Sequence, residues 1–274
     1  MRHLQSCEIS KSSIQKTPPN PAHFPDLHFV YSPSHDGVDH NLLILFHGLG
    51  DTPENFINFG KKMRLPQTSL LAIKGPCPIP YHEGTGWAPA FDAEGNERPH
   101  SSAVVQEAVK TTRNLLVNLL NKAILASPEA PDRWPAENIF LFGFSQGGVC
   151  AIDLALFGTI RLGGAVSVSG WPSEALYSGK LPEVNKGVKL LITQGLNDDV
   201  IGHNEWKKRM TFLKRVIPQD GKLEVHEIPG KGHTMPNSAV EMRAIMAFFG
   251  ANLSLRSLAL EAMSDVYEVK MQPE

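Results

Sequence analysis

Only three cysteines, Cys7, Cys77 and Cys150, are spread over the 274 residues, and they form neither a CxxC pair nor a metal-ligand spacing. That excludes a disulfide framework and makes free thiols in a reducing cytosol the simplest expectation. Net charge is equally scant: 26 Lys plus Arg stand against 28 Asp plus Glu with no basic stripe, which argues against nucleic acid as a main partner. Long hydrophobic runs are missing too. The stretch LLILF at 42–46 is typical, far short of the ~20 residues of a transmembrane helix. The amino-terminal MRHLQSCEISKSSIQKTPPNPAHF has no apolar core of signal-peptide type. Its Glu and poor apolar face count against a mitochondrial transit peptide, so a cytoplasmic protein is expected.

What is present is ordinary for a globular chain: 42% hydrophobic and 20% charged residues, at a length that suits one large α/β domain or two small ones. Residues 1–25, with TPPNPAHFP, read as a flexible extension, because proline excludes helix and central strand. A domain over 26–250 follows, and then a tail, 251–274, that either adds a helix or frays. Strands are expected at 27–31, 41–46, 69–73, 138–143, 163–169, 188–193 and 222–228. The Gly- and Pro-rich stretch 75–100 reads as a long functional loop.

Helices should fill the gaps between strands. One starts at a Ser101 or Ser102 cap and repeats Val104, Ala108, Leu115 and Leu119 at helical spacing. A second follows Ser145 and ends at Gly158; a third covers 203–217; a fourth, 238–250, is closed by Gly250. Near-continuous apolar strands alternating with helices imply a mostly parallel sheet covered on both faces.

One strand runs directly into Gly143-Phe144-Ser145-Gln146-Gly147. This G-x-S-x-G pattern between a strand and a helix is the nucleophile-elbow arrangement. A sharp bend holds the serine hydroxyl at the carboxyl edge of the sheet, and small neighbours avoid a clash there. The following helix aims its free N–H groups at the same spot. Upstream, LILFHGLGD (43–51) ends another strand in His-Gly-x-Gly, a loop able to lend a backbone N–H to an oxyanion. Downstream, Asp198 and Asp199 follow the strand VKLLIT, and His233 follows KLEVHEI. Serine, acid and histidine thus stand at successive strand ends in the chain order of an α/β hydrolase. Either aspartate can serve as the acid. His47 reads as loop packing, His203 and His226 as surface residues, Cys150 as core, and Cys7 as an ordinary thiol.

The stretches LFHGLGD, GFSQGG, GAVSVSGW and GKGH resemble the phospholipase/carboxylesterase family of α/β hydrolases, which contains the acyl-protein thioesterases. The likeness runs from about residue 40 to 250. It implies an α/β-hydrolase fold with Ser145 as nucleophile, His233 as base, and an acid from QGLNDD, which counting from Gly195 puts at Asp198 with Asp199 as rival. It further implies an oxyanion hole built from the backbone N–H groups of Leu49 and Gln146, and neither metal nor organic cofactor. Two stretches depart from the family pattern. The acid loop begins Gln194-Gly195-Leu196-Asn197, and a Trp-Phe-Asp stretch is split into Trp87 and Phe91-Asp92. Trp87, Phe91 and Trp171 are candidates for an apolar acyl groove, with core packing as the plainer alternative.

The expected activity is hydrolysis of acyl esters or thioesters, of the acyl-protein thioesterase or lysophospholipase kind, with an acylated protein among the candidate substrates. A small-substrate carboxylesterase and a non-catalytic binding protein on the same fold are the alternatives.

Overall fold

The computed structural model describes residues 16–177 and 181–257, together with the backbone of 5–7 and 268–270. Expectations for Cys7, for most of residues 1–15 and for the tail beyond 257 therefore lie outside the described side chains.

Gln5–Cys7 (β1) pairs antiparallel with Glu268–Lys270 (β11), apart from the main sheet. The main sheet is built from Phe29–Ser32 (β2), Asn41–Phe46 (β3), Thr68–Ile73 (β4), Ile139–Phe144 (β7), Gly164–Val168 (β8), Lys189–Gly195 (β9) and Lys222–Ile228 (β10). Its order is β10-β9-β8-β7-β3-β4-β2, and every neighbouring pair is parallel except β2 with β4. All six residues of β3 and of β4 are buried, as strands covered on both faces must be.

The covering helices are Pro53–Met63 (α1), Ala103–Leu119 (α2), Gln146–Phe157 (α3), His203–Val216 (α4) and Ala239–Asn252 (α5). Alternate strand residues feed two separate cores. Leu43, Leu45, Phe140 and Phe142 pack with Phe56 of α1 and Phe249 of α5. Leu42, Ile44, Leu141 and Ile192 pack with Leu116 of α2, Leu154 of α3 and Leu213 of α4. Period-two alternation along each strand thus decides which helices it holds.

Four local expectations need correction. The stretch 75–100 carries a hairpin, Cys77–Ile79 (β5) with His82–Gly86 (β6), whose small and polar residues hide its strands. On α2 the buried face is Val105, Thr112, Arg113, Leu116 and Leu119, while Val104 is 51% exposed. The polar Thr112 and Arg113 turn inward because each finds a partner there, so an apolar count misplaces the face. Ser102 does occupy the N-cap of α2, but its side chain makes no capping bond. Gly250 lies inside α5, which runs on to Asn252, since no left-handed turn stops it.

Phe142 is fully buried, its ring centroid 5.0 Å from that of Phe59 on α1. Phe142→Ala should lower the unfolding free energy by about 3–5 kcal/mol in a denaturant titration. A loss below about 1 kcal/mol would mean that this face of the sheet does not hold α1 as described.

Candidate active site

The bend between β7 and α3 explains why a serine can end a buried strand. Ser145 adopts φ 53°, ψ −121°, a conformation that a side-chain-bearing residue rarely holds. Its N–H donates to the Val168 carbonyl at 2.9 Å, tying the bend to β8. Bare backbone on both sides makes room. A β-carbon on Gly143 would stand 2.2 Å from the Gly147 oxygen, and one on Gly147 would stand 2.3 Å from the Phe46 oxygen. The elbow therefore presses against the end of β3 with no space for side chains.

Because β7, β9 and β10 are parallel, the loops that follow them open at one edge of the sheet. Ser145 Oγ lies 2.7 Å from His233 Nε2, and His233 Nδ1 lies 2.9 Å from Asp198 Oδ2. Asp198 is buried, whereas Asp199 beside it is exposed. The Asp198 carboxylate also accepts the amides of Val200 at 3.0 Å and Ile201 at 2.8 Å, and the Gln194 side-chain amide at 3.0 Å. Burial pushes its carboxyl up, but the Ile201 amide, His233 and Gln194 outweigh that and hold it below the ordinary carboxylate value. The Phe144 ring packs on the imidazole, 5.2 Å between centroids.

The remaining residues singled out in the sequence fall around this chain. The amides of Leu49 and Gln146 find no acceptor among the described residues. The Gln146 side chain takes the Trp87 N–H at 2.5 Å and donates to the Ala88 carbonyl at 3.0 Å. Trp87 is also held by its indole N–H on the His47 carbonyl, 2.8 Å away, and by Thr112 on its own carbonyl, 2.9 Å away. His47 is a buried packing residue: its Nδ1 bonds the Gly48 carbonyl and its Nε2 accepts the Gly75 amide, and burial lowers its pKa.

Ser145 and His233 open onto a cavity of about 590 Å³, and Trp87 and Phe91 stand in its wall. Trp171 does not. It is fully buried beneath the site, donating its indole N–H to Gln194 Oε1 at 3.0 Å and packing edge-on against Trp206. Gln194 thus bridges Trp171 and Asp198, a supporting role that the sequence signals only by a glutamine standing in the acid loop. Among the described residues no group of His, Cys, Asp or Glu is arranged to hold a metal ion, and no helix is long and apolar enough to cross a membrane.

A parallel sheet covered on both faces, with a serine elbow at its carboxyl edge, defines an α/β hydrolase. The fold is similar to the crystal structure of esterase PE8, with a TM-score of 0.63 at 23% identity over 83% of this chain and 99% of that one. The phospholipase/carboxylesterase family model matches residues 27–253, and the chain belongs to that family. An uncharacterized hydrolase of Mycosarcoma maydis is 37% identical over 152 residues, 52% of this chain and 53% of that protein. Acyl-protein thioesterase 1 of Neurospora crassa is 24% identical over 204 residues, 70% of this chain and 79% of its own length. The chain spans about half the length of the Mycosarcoma relative and of a second hydrolase from Schizosaccharomyces pombe.

The lowered Asp198 carboxyl makes an acid-side prediction. The ionised form favours the fold at every pH above its ordinary value near 4, and that contribution is lost as pH falls through the lower folded value. Stability of the wild type should therefore fall more steeply below about pH 4 than that of Asp198→Asn, read by denaturant titration at a series of pH values. Parallel curves would contradict the lowered carboxyl.

Proposed function

We propose that the protein is a serine hydrolase that cleaves carboxylic esters or thioesters through an acyl-enzyme. The observation that carries this reading is the hydrogen-bonded run Ser145–His233–Asp198, with separations of 2.7 and 2.9 Å. His233 Nε2 takes the Ser145 proton as Oγ attacks the substrate carbonyl. Asp198 holds the imidazole in one tautomer and stabilises the imidazolium that forms. The Leu49 and Gln146 amides receive the developing oxyanion; one such donor is typically worth about 3 kcal/mol. His233 then returns the proton to the leaving alcohol or thiol. A water deprotonated by the same ring attacks the acyl-enzyme, releasing the acid and restoring Ser145.

Trp87 and Phe91, both in the cavity wall, would contact the acyl group. A cavity of about 590 Å³ suits a small-molecule ester, which supports the small-substrate carboxylesterase as the second reading beside an acylated protein. The free thiols Cys77 and Cys150 accord with a reducing, cytosolic setting.

Ser145→Ala and His233→Ala should each lower kcat for a short aryl ester by a factor on the order of 10⁴ to 10⁶, with the circular dichroism spectrum retained. Asp198→Asn should cost about 10⁴ and Asp199→Asn close to nothing. Near-normal turnover by a folded Ser145→Ala or His233→Ala variant would reject the proposal, and a dependence on Asp199 alone would move the acid.

A further inference from the structure

Polar side chains interrupt the mainly apolar wall of the cavity that holds Ser145. Arg113 of α2 and Asp153 of α3 both stand in its wall, paired through Nε at 2.7 Å and Nη2 at 3.0 Å. Tyr177 donates to the same carboxylate at 2.8 Å. Asp153 lies eight residues beyond Ser145, which places the pair about 12 Å along α3 from the elbow. His100 and Arg209 stand in the wall as well. His100 Nδ1 meets Ser173 Oγ at 3.1 Å, and Arg209 is fixed by Nε on Glu205 at 2.9 Å and Nη1 on the Trp171 carbonyl at 3.1 Å. Burial and the nearby Arg209 cation lower the pKa of His100, favouring the neutral ring.

Arg113 Nη1, Arg209 Nη2, His100 Nε2 and Ser169 Oγ are among the polar groups of this wall with no hydrogen-bond partner among the described residues. A hydrocarbon chain filling the cavity would strip water from them and return nothing. An oxygen on the chain could accept from the two guanidinium groups, and from His100 Nε2 in the tautomer in which Ser173 Oγ donates to Nδ1. Charge does not dominate the choice, because Asp153 offsets Arg113 and Glu205 offsets Arg209.

Resting on the hydrolase reading above, we propose that Arg113, His100 and Arg209 form a subsite for an oxygen function, carbonyl or carboxylate, carried on the substrate chain several carbons from the scissile carbonyl. The preferred substrates are then esters or thioesters of oxygenated acids, with simple fatty acyl groups disfavoured.

Three aryl esters of equal length test this: the octanoate, the 7-oxo-octanoate and the monoester of suberic acid. Wild type should show a kcat/KM for one or both oxygenated esters more than about tenfold above that for octanoate. A gain for both identifies an oxygen acceptor in general, and a gain for the suberate alone identifies a carboxylate. His100→Phe and Arg209→Leu should each shrink the ratio of oxygenated to plain ester severalfold. That ratio is independent of the fraction of folded enzyme, so a poorly folding variant still reports. Turnover of octanoate equal to or better than that of both oxygenated esters would overturn the subsite while leaving the hydrolase intact. Ratios unchanged in both variants would overturn it also. No turnover of any ester by the wild type would overturn the hydrolase reading and the subsite with it.

Discussion

The strained backbone at Ser145 is the constraint on which the rest of the site depends. A side chain at φ 53° is held there only because its surroundings over-determine it. The Gly143 and Gly147 backbones touch across the bend, and Gly147 presses on the end of β3. The bend in turn starts α3, so that the first unpaired amides of that helix and the Ser145 hydroxyl share one location. The Gln146 side chain extends the same constraint outward, fastening Trp87 and Ala88 over the cavity.

The other half of the site is held by a different device. The Asp198 and His233 loops are joined by the Asn197 amide donating to the Lys231 carbonyl at 2.9 Å. The Lys231 side chain turns inward to Glu241 on α5, and Thr193 on β9 donates to the same carboxylate at 2.6 Å. Both charges are essentially solvent-free, a pairing that is costly to break from one side. Gln194, propped by Trp171, steadies Asp198 from below. Two loops separate in sequence are thus fixed to each other and to the sheet, which keeps the imidazole between hydroxyl and carboxylate.

Much of this was legible in the sequence. Strands 41–46 and 222–228 emerge at their observed limits, the first because it is an apolar run between turn residues and the second because polar and apolar residues alternate along it. The serine, acid and histidine side chains meet where their places at successive strand ends suggested. The less legible features are those in which polar residues face inward. Arg113 and Thr112 shift the apparent face of α2, since their burial depends on Asp153 and the Trp87 carbonyl, neither visible to a count of apolar spacing. Trp171 shows the reverse, an aromatic beside the site in sequence whose indole N–H serves the core. Which of Asp198 and Asp199 meets His233 depended on the fold of the loop itself, where two amides and Gln194 converge on the Asp198 carboxylate.

The central claim is that Ser145 is an activated hydroxyl, its proton accepted by His233 88 residues further along the chain. Reaction of the intact protein with a fluorophosphonate, followed by peptide mass spectrometry, tests this most directly. The account predicts one phosphonyl adduct on Ser145, formed rapidly in the wild type and suppressed in His233→Ala. A folded wild-type protein that stays unlabelled at Ser145, or labels equally fast without His233, would contradict it.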